Sequence, residues 1–241
     1  MYDDLANSRT IVKNHGLTTD VKIQGRSLIR DNAWNTLCLP FDVNSFEGTP
    51  LENAKVNTLS SSSFDDITGT LTLNFGTATS IEAGKPYLIK WTTPGKAIKD
   101  PIFLDVTINS QVKNIKTDAV TFCGTFDPVQ LKTNDRTMLY IGDYDMLYYP
   151  TEDVDVNSFR AYFKLADGIT AGDPIDPQSG FVHAFQLNFG DESETSGIEN
   201  AQWTMDNGQS ESWFDLSGRK LSGKPTQKGV YIKNGRKVVI E

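Results

Sequence analysis

The sequence predicts an all-β protein in which an antiparallel β-sandwich precedes a small C-terminal β-domain. Apolar and polar residues alternate with a period of two from residue 21 to residue 189, as in half-buried strands. Asp, Asn, Gly and Pro residues, which favour turns, separate the alternating runs. No apolar stripe of helical spacing extends over ten residues, although residues 6–13 could form one or two helical turns. Many short strands with frequent turns favour a two-sheet sandwich over an α/β fold.

Five runs place their apolar side chains on one face of a predicted strand. In chain order these faces are Leu71, Leu73 and Phe75; Tyr87, Ile89 and Trp91; Ile102, Leu104, Val106 and Ile108; Val120, Phe122 and Phe126; and Phe159, Ala161, Phe163 and Leu165. Residues 138–141 and 146–149 flank the turn-forming residues 142–145, which predicts a hairpin.

An acidic segment at residues 191–197 divides the chain into residues 1–190 and residues 198–241. The segment contains no apolar side chain, and such composition is typical of a linker. We therefore predict a sandwich module before it and a separate β-domain after it.

The C-terminal part contains a strong hairpin signal. Asn234 and Gly235 suit the two left-handed positions of a type I′ turn, which places Tyr231 opposite Val238. A unit of about 40 residues has little core of its own, so we expect a small sandwich or a unit that packs on a neighbour.

The charge balance excludes one class of partner. The chain has 23 Lys and Arg residues against 31 Asp and Glu residues, which gives a net charge of −8. A protein that tracks nucleic-acid phosphates needs a basic surface, so we expect no nucleic-acid partner. The acids are mostly Asp, which favours turns and caps.

Neither a transmembrane segment nor a signal peptide is visible in the sequence. No apolar run approaches the roughly 18 residues that span a bilayer. Met1 leads into Tyr2, Asp3 and Asp4 rather than into a basic region and an apolar core. The protein is therefore expected either to be cytosolic or to have lost a signal peptide.

Catalytic motifs are absent from the sequence. Neither Gly-x-Ser-x-Gly nor His-Glu-x-x-His occurs, and the two histidines are His15, in a polar segment, and His183, on an apolar face. A pair of carboxylates could catalyse glycoside hydrolysis, but the sequence has 31 acidic residues and gives no means of choosing the pair. We predict that the protein is not an enzyme, with a glycoside hydrolase as an alternative.

Three oxygen-bearing side chains at alternate positions suit calcium, which is the one cofactor the sequence suggests. They are Asp153, Asp155 and Asn157. Ser158 stands where an EF-hand needs Gly, so the alternative interpretation is a solvated turn before a strand.

Four aromatic residues at predicted turns or strand ends are candidates for binding sugar rings. They are Trp91, Tyr144, Tyr148 and Tyr149. Aromatic ring faces accept the apolar C–H surfaces of sugars, although packing in the core or at an edge is the alternative. The outward residues Arg160, Tyr162 and Lys164 are interpreted as ordinary solvated surface.

Cys38 and Cys123 lie on two predicted central strands. In an oxidising compartment a disulfide between neighbouring strands would close a loop of about 85 residues and contribute about 4 kcal/mol. The alternative is a pair of buried free thiols.

Several motifs in residues 20–190 resemble a block that recurs in large secreted surface proteins of gut and oral Gram-negative anaerobes, including the BspA-like leucine-rich-repeat proteins. The motifs are residues 26–28 (RSL), 31–41 (DNAWNTLCLPF), 81–90 (IEAGKPYLIK), 120–126 (VTFCGTF), 139–142 (LYIG) and 159–163 (FRAYF). The resemblance implies a non-catalytic module outside the cell or on the outer-membrane surface, with a role in adhesion or as an accessory region. A glycan or a host surface protein is the partner it implies.

The end of the chain resembles the C-terminal sorting domain of type IX secretion cargo. The motifs are residues 213–220 (WFDLSGRK), 228–232 (KGVYI) and 237–240 (KVVI). This resemblance implies a small β-sandwich that directs export, with the secretion machinery as the partner of residues 198–241.

Overall fold

Strands form nearly all of the regular structure in the described residues, which confirms the all-β prediction. The structure is a computed structural model that describes residues 1–142, 145–172, 180–182 and 184–189, and the strand backbones at 196–197, 213–214, 220–221, 229–233 and 236–240. The chain divides into two compact units, Met1–Asn200 and Ala201–Glu241.

The first unit contains one helix and nineteen strands in its described residues. They are α1 (Ser8–Lys13), β1 (Thr18–Lys22), β2 (Ser27–Leu28), β3 (Asn35–Cys38), β4 (Lys55–Asp65), β5 (Thr70–Thr77), β6 (Pro86–Lys90), β7 (Ile98–Lys99), β8 (Ile102–Thr107), β9 (Ile115–Lys116), β10 (Val120–Gly124), β11 (Val129–Leu131), β12 (Met138–Ile141), β13 (Leu147–Tyr148), β14 (Val154–Val156), β15 (Ala161–Leu165), β16 (Ile169–Ala171), β17 (Gly180–Val182), β18 (Ala184–Asn188) and β19 (Ser196–Gly197). The second unit has β20 (Trp213–Phe214), β21 (Lys220–Leu221), β22 (Gly229–Lys233) and β23 (Arg236–Ile240).

Two large sheets organise the first unit. One has six strands in the order β19-β18-β5-β4-β6-β3, and the other has five in the order β13-β12-β15-β10-β9. Neighbouring strands in both sheets are antiparallel, apart from the parallel pair β18 and β5. Small two-stranded sheets, namely β1-β8, β2-β7, β11-β14 and β16-β17, complete the described strands of this unit.

Two buried clusters make up the core. Tyr87 and Ile89 of β6 belong to the first cluster, whereas Leu88 between them belongs to the second. Side chains of one strand alternate between faces, so β6 separates the two clusters. Both large sheets contribute to the second cluster, for example through Phe75 of β5 and Phe163 of β15.

A chain of aromatic contacts runs through the second cluster. Trp34 stacks on Phe189 with ring centroids 4.5 Å apart, and Phe189 stacks on Phe75 at 5.4 Å. Phe75 meets Phe122 and Phe163 edge to face, each at 6.3 Å. Such pairs each contribute about 0.5–1.5 kcal/mol beyond the burial of their area, so these contacts hold the two large sheets together.

The expected helix is present as α1, and a residue from elsewhere in the chain caps it. The backbone N–H groups of Asn7 and Ser8 donate to the Asp127 carboxylate at 2.6 and 2.7 Å. The carboxylate satisfies donors that a helix cannot pair internally. Ile11 on α1 is fully buried in the first cluster.

Two of the five predicted strand faces are confirmed in full. Leu71, Leu73 and Phe75 lie together in the second cluster, and Tyr87, Ile89 and Trp91 lie together in the first. The hairpin of β12 and β13 forms as predicted. In the second unit, β22 and β23 pair Val230 with Val239 and Tyr231 with Val238, which confirms the predicted register.

The predicted face of β8 is wrong at its first half. Ile102 and Leu104 are 49% and 67% exposed, whereas Phe103 and Val106 are buried. Asp105 has a φ of +52°, and the register with β1 shifts opposite this part of the strand. An irregularity of this kind inserts a residue into the alternation and moves the following side chains to the other face.

Phe126 and Phe159 also depart from their predicted faces. Both lie in the first cluster with ring centroids 6.5 Å apart, although the strands next to them face the second cluster. Phe159 has a φ of +61°, a left-handed conformation that turns the chain just before β15.

The predicted acidic linker coincides in part with a strand. Residues 196–197 form β19 and pair with Gln186 and Leu187 of β18. Residues 191–195 lie outside the described residues. The first unit accordingly extends to Asn200.

Cys38 and Cys123 are both buried free thiols in the structure. Cys38 on β3 packs against Gly124 on β10, where a Cβ would overlap the Cys38 Sγ and lie 3.1 Å from its Cβ. Cys123 is the neighbour of Gly124 on the same strand, so its side chain points to the opposite face, away from Cys38. Burial raises the pKa of the Cys38 thiol to about 12.

We expect Gly124→Ala to destabilise the first unit by about 1–3 kcal/mol, because the added methyl group overlaps Cys38. Urea unfolding measures this change. Combining the substitution with Cys38→Ala should recover part of the loss, since the two side chains then no longer collide. Gly76→Ala on β5 is the matched control, because a Cβ there meets nothing within 4 Å. This packing would be contradicted if the free energy of unfolding of the double variant is no higher than the summed effects of the two single substitutions predict.

Candidate functional site

The outward face of the five-stranded sheet is the candidate site. Leu139, Phe163 and Phe122 on its three central strands are buried in the second cluster. Their neighbours along each strand therefore point away from the core. These neighbours include Tyr140 on β12, Tyr162 on β15 and Cys123 on β10.

The strand register aligns three tyrosines across this face. Tyr140 lies opposite Tyr148 of β13. Met138 and Leu139 of β12 lie opposite Lys164 and Phe163 of β15, and Tyr140 and Tyr162 are the next residues of the two antiparallel strands beyond this pairing. We call Tyr148, Tyr140 and Tyr162 the tyrosine row; all three are half-buried.

One end of the tyrosine row rests on a glycine. The rings of Tyr140 and Tyr148 stack with centroids 5.9 Å apart and planes 30° apart. A Cβ at Gly142 would lie 2.8 Å from Cδ2 of Tyr148 and 3.6 Å from Cε2 of Tyr140. The Tyr148 ring therefore occupies the space that a side chain at position 142 would fill. The Tyr148 hydroxyl also donates to Met146 Sδ at 3.7 Å.

A thiol lies at the other end of the row. Tyr162 lies opposite Cys123, whose thiol donates to the Thr121 carbonyl at 3.6 Å. Burial raises the pKa of the Tyr162 hydroxyl and of the Cys123 thiol above their ordinary values. Both groups therefore stay protonated at neutral pH.

Basic and neutral residues flank the row. Along the same outward face, Met138, Lys164, Thr121 and Lys116 form the next line of paired positions on four strands. Lys164 and Lys116 are exposed. On the opposite side of the row lies Arg160, whose guanidinium donates to Asp3 at 2.7 Å.

Of the four aromatic residues predicted to bind sugars, Tyr148 belongs to this face. Tyr149 points the other way, packs against the second cluster and lies beneath the guanidinium of Arg136, 5.5 Å from its ring centroid. Tyr144 lies outside the described residues.

Trp91 is not available as a stacking surface, so the prediction fails at that position. Its side chain is 1% exposed in the first cluster, and its Nε1 donates to the Glu52 carbonyl at 2.9 Å. The residue borders a depression of about 520 Å³, but the Arg30 guanidinium covers the ring at 5.9 Å. Core packing therefore accounts for this tryptophan.

The three candidate calcium ligands make separate hydrogen bonds. Asp153 accepts from the backbone N–H and hydroxyl of Thr133, both at 2.8 Å, and Asp155 accepts from Gln130 at 3.1 Å. Asn157 donates its amide to Asp3 at 3.2 Å. Among the described residues, no three His, Cys, Asp or Glu side chains are grouped as a metal site would need. Calcium binding here stays a prediction.

Many aspartates hold loop backbone in place. A carboxylate that accepts from backbone N–H groups fixes a turn, as the abundance of Asp predicts. The aspartates that do so are Asp20, Asp31, Asp42, Asp65, Asp100, Asp127, Asp135, Asp145 and Asp153.

Sequence reasoning missed Tyr140 and assigned Tyr162 to ordinary surface. Both are outward residues of alternating strands, so periodicity could have placed each one on a face. Their alignment with Tyr148 depends on the register between strands that are distant in sequence, which periodicity does not give.

Comparison with protein-family models, with curated proteins and with solved structures found no match to this chain. The resemblance to BspA-like surface proteins and to sorting domains therefore stays a prediction. Among the residues that the structure describes, no helix has the length and apolar character needed to cross a membrane.

The bonds of Asp153 predict a specific pH dependence. Hydrogen bonds from Thr133 and Lys132 lower the pKa of Asp153 from 3.8 to about 2. A lowered pKa means that the ionised carboxylate stabilises the fold above its ordinary pKa, and that this contribution is lost as the pH falls through the folded value. We expect Asp153→Asn to lower the Tm at neutral pH, with the difference from the unmodified protein shrinking between about pH 4 and pH 2.

Thermal unfolding followed by circular dichroism over that pH range measures the difference. Asp66→Asn is the control, because Asp66 is an exposed aspartate in the turn that connects β4 and β5. A difference between Asp153→Asn and the unmodified protein that stays constant with pH would show that the carboxylate charge is not responsible.

Proposed function

We propose that the protein is a non-catalytic module, secreted or held on the cell surface, that binds glycans in adhesion or as an accessory region. The tyrosine row on the five-stranded sheet carries the proposal. Sugars bind aromatic side chains because the C–H faces of the sugar ring pack on an apolar ring while the hydroxyl groups stay hydrated. Three tyrosines in line across adjacent strands suit an extended saccharide chain.

The proposed architecture of the module is a β-sandwich formed by the two large sheets. The shared second cluster supports it, since residues of both sheets, including Phe75 and Phe163, pack there. In a sandwich the outward faces meet solvent, and the tyrosine row lies on such a face.

The location outside the cell is supported by sequence. The motifs of residues 26–163 resemble those of secreted surface proteins, and those of residues 213–240 resemble sorting domains. In this proposal, residues 198–241 direct export and residues 1–190 bind the partner.

We expect Tyr148→Ala and Tyr140→Ala each to weaken saccharide binding roughly tenfold, because each loses a stacking contact worth about 1.5 kcal/mol. Isothermal titration against a panel of soluble polysaccharides measures the affinity. Tyr148→Phe keeps the ring and should bind nearly as well as the unmodified protein.

Leu104→Ala is the surface control, because Leu104 is an exposed apolar side chain on β8, outside the five-stranded sheet. Wild-type affinity in both tyrosine-to-alanine variants would refute the site, and the absence of binding to the whole panel by the unmodified protein would refute the function.

Removal of residues 201–241 should keep the protein inside the cell envelope while the full chain reaches the surface. The described strands of the first unit pair only with one another, so the shortened chain retains all of these pairings. Fractionation of the native cells with immunodetection measures the distribution. Replacement of residues 191–195 by a Gly-Ser segment of equal length is the control and should leave export unchanged. Surface delivery of the shortened chain would rule out the sorting role.

A further inference from the structure

We propose that the ligand of the tyrosine row is an acidic saccharide chain, whose carboxylate or sulfate groups are bound by Lys164 and Lys116. This inference rests on the proposed glycan-binding function and specifies the chemical class of the glycan. The charge distribution around the row carries it.

Outward positions on the five-stranded sheet lack acidic side chains within the described residues. These positions are Tyr148 on β13, Met138 and Tyr140 on β12, Tyr162 and Lys164 on β15, Thr121 and Cys123 on β10, and Lys116 on β9. The whole chain has a net charge of −8, whereas the outward strand positions of this sheet carry two lysines and no carboxylate; the nearest exposed carboxylates, Asp118 and Asp167, lie in the turns beyond the strands. Two ammonium groups at these strand positions favour an anionic ligand.

The two lysines keep their charge for a ligand. In the described part of the chain, neither Lys164 nor Lys116 has an ion-pair partner, whereas Lys22, Lys113 and Lys132 are each paired with a carboxylate. An ammonium group without an internal partner is ready to bind an anion without first breaking a bond.

The charge on the other side of the row is already neutralised. Arg160 is paired with the buried carboxylate of Asp3, which also lies 3.5 Å from the guanidinium of Arg26. The acidic groups of the ligand are therefore expected along the side of Lys164 and Lys116, with the sugar rings over the tyrosines.

The spacing of the lysines suits a polymer better than a single anion. Lys164 and Lys116 lie on β15 and β9, which are separated by one strand, β10. Neighbouring strands lie about 4.8 Å apart, so the two strands are about 10 Å apart. Two ammonium groups at that separation contact different acidic groups of one chain.

Matched polymers that differ in charge provide the test. Titration calorimetry at low salt would compare polygalacturonate with its methyl ester, and dextran sulfate with dextran. The first pair tests carboxylates and the second tests sulfates. We expect at least one acidic polymer to bind tenfold or more tightly than its neutral partner, and this preference should shrink at high salt because exposed charges are then screened.

Charge-removing variants locate the binding. Lys164→Gln and Lys116→Gln should each weaken binding of the acidic polymer several-fold, while Lys13→Gln on α1 should not change it. Tyr148→Ala should weaken it as well, because stacking and charge act on the same ligand.

Three outcomes would overturn the inference. Neutral polymers bound as tightly as acidic ones, with affinity still lost in Tyr148→Ala, would refute the acidic preference and leave glycan binding intact. Poly-L-glutamate bound as tightly as polygalacturonate, with no effect of Tyr148→Ala, would indicate an acidic peptide as the partner. No binding of any of these polymers would refute the acidic ligand and count against the proposed function itself.

Discussion

Burial of β6 on both faces is the constraint on which the rest of the first unit depends. All five residues of this strand are buried, with Tyr87 and Ile89 in one cluster and Leu88 in the other. Lys90 is the last residue of the strand, and a buried ammonium group needs an interaction that compensates for the water it has lost. Its ammonium group lies 4.7 Å from the ring centroid of Trp34, which the quadrupole of the indole ring favours. Trp34 in turn begins the aromatic chain through the second cluster, so the charge of Lys90 and the packing between the large sheets are linked.

The sequence predicts this fold where side-chain alternation is regular and fails where the backbone changes direction. The faces of β5 and β6 and the register of the hairpin at residues 229–240 follow from local patterns alone. The face of β8 changes at Asp105, whose left-handed conformation interrupts the alternation. An aspartate tolerates that conformation better than most residues, but one Asp among many gives no signal that it adopts it.

The sequence named four aromatic residues at predicted turns or strand ends as sugar-binding candidates, and of these Tyr148 lies on the outward face of the five-stranded sheet. Sugar binding by this residue stays a prediction. Trp91 followed the alternation of β6 into the core, and this burial was visible in its apolar pattern with Tyr87 and Ile89. Tyr140 and Tyr162 join Tyr148 through non-local strand pairing, and such pairing is specified by the whole core rather than by any one segment.

In the proposed function, the contacts at the two ends of the tyrosine row would affect its affinity for a saccharide. A flexible aromatic side chain loses rotamer freedom when a ligand immobilises it, at about 0.5–1.5 kcal/mol each. Tyr162 lies opposite Cys123, and Tyr148 lies against Gly142 and donates to Met146 Sδ. Tyr140 stacks on Tyr148. Each ring therefore lies against a neighbouring group, so that in the proposed function less of the stacking energy would be spent on ordering the site. Gly142 and Cys123 would then act on binding by positioning the rings, without contacting the ligand.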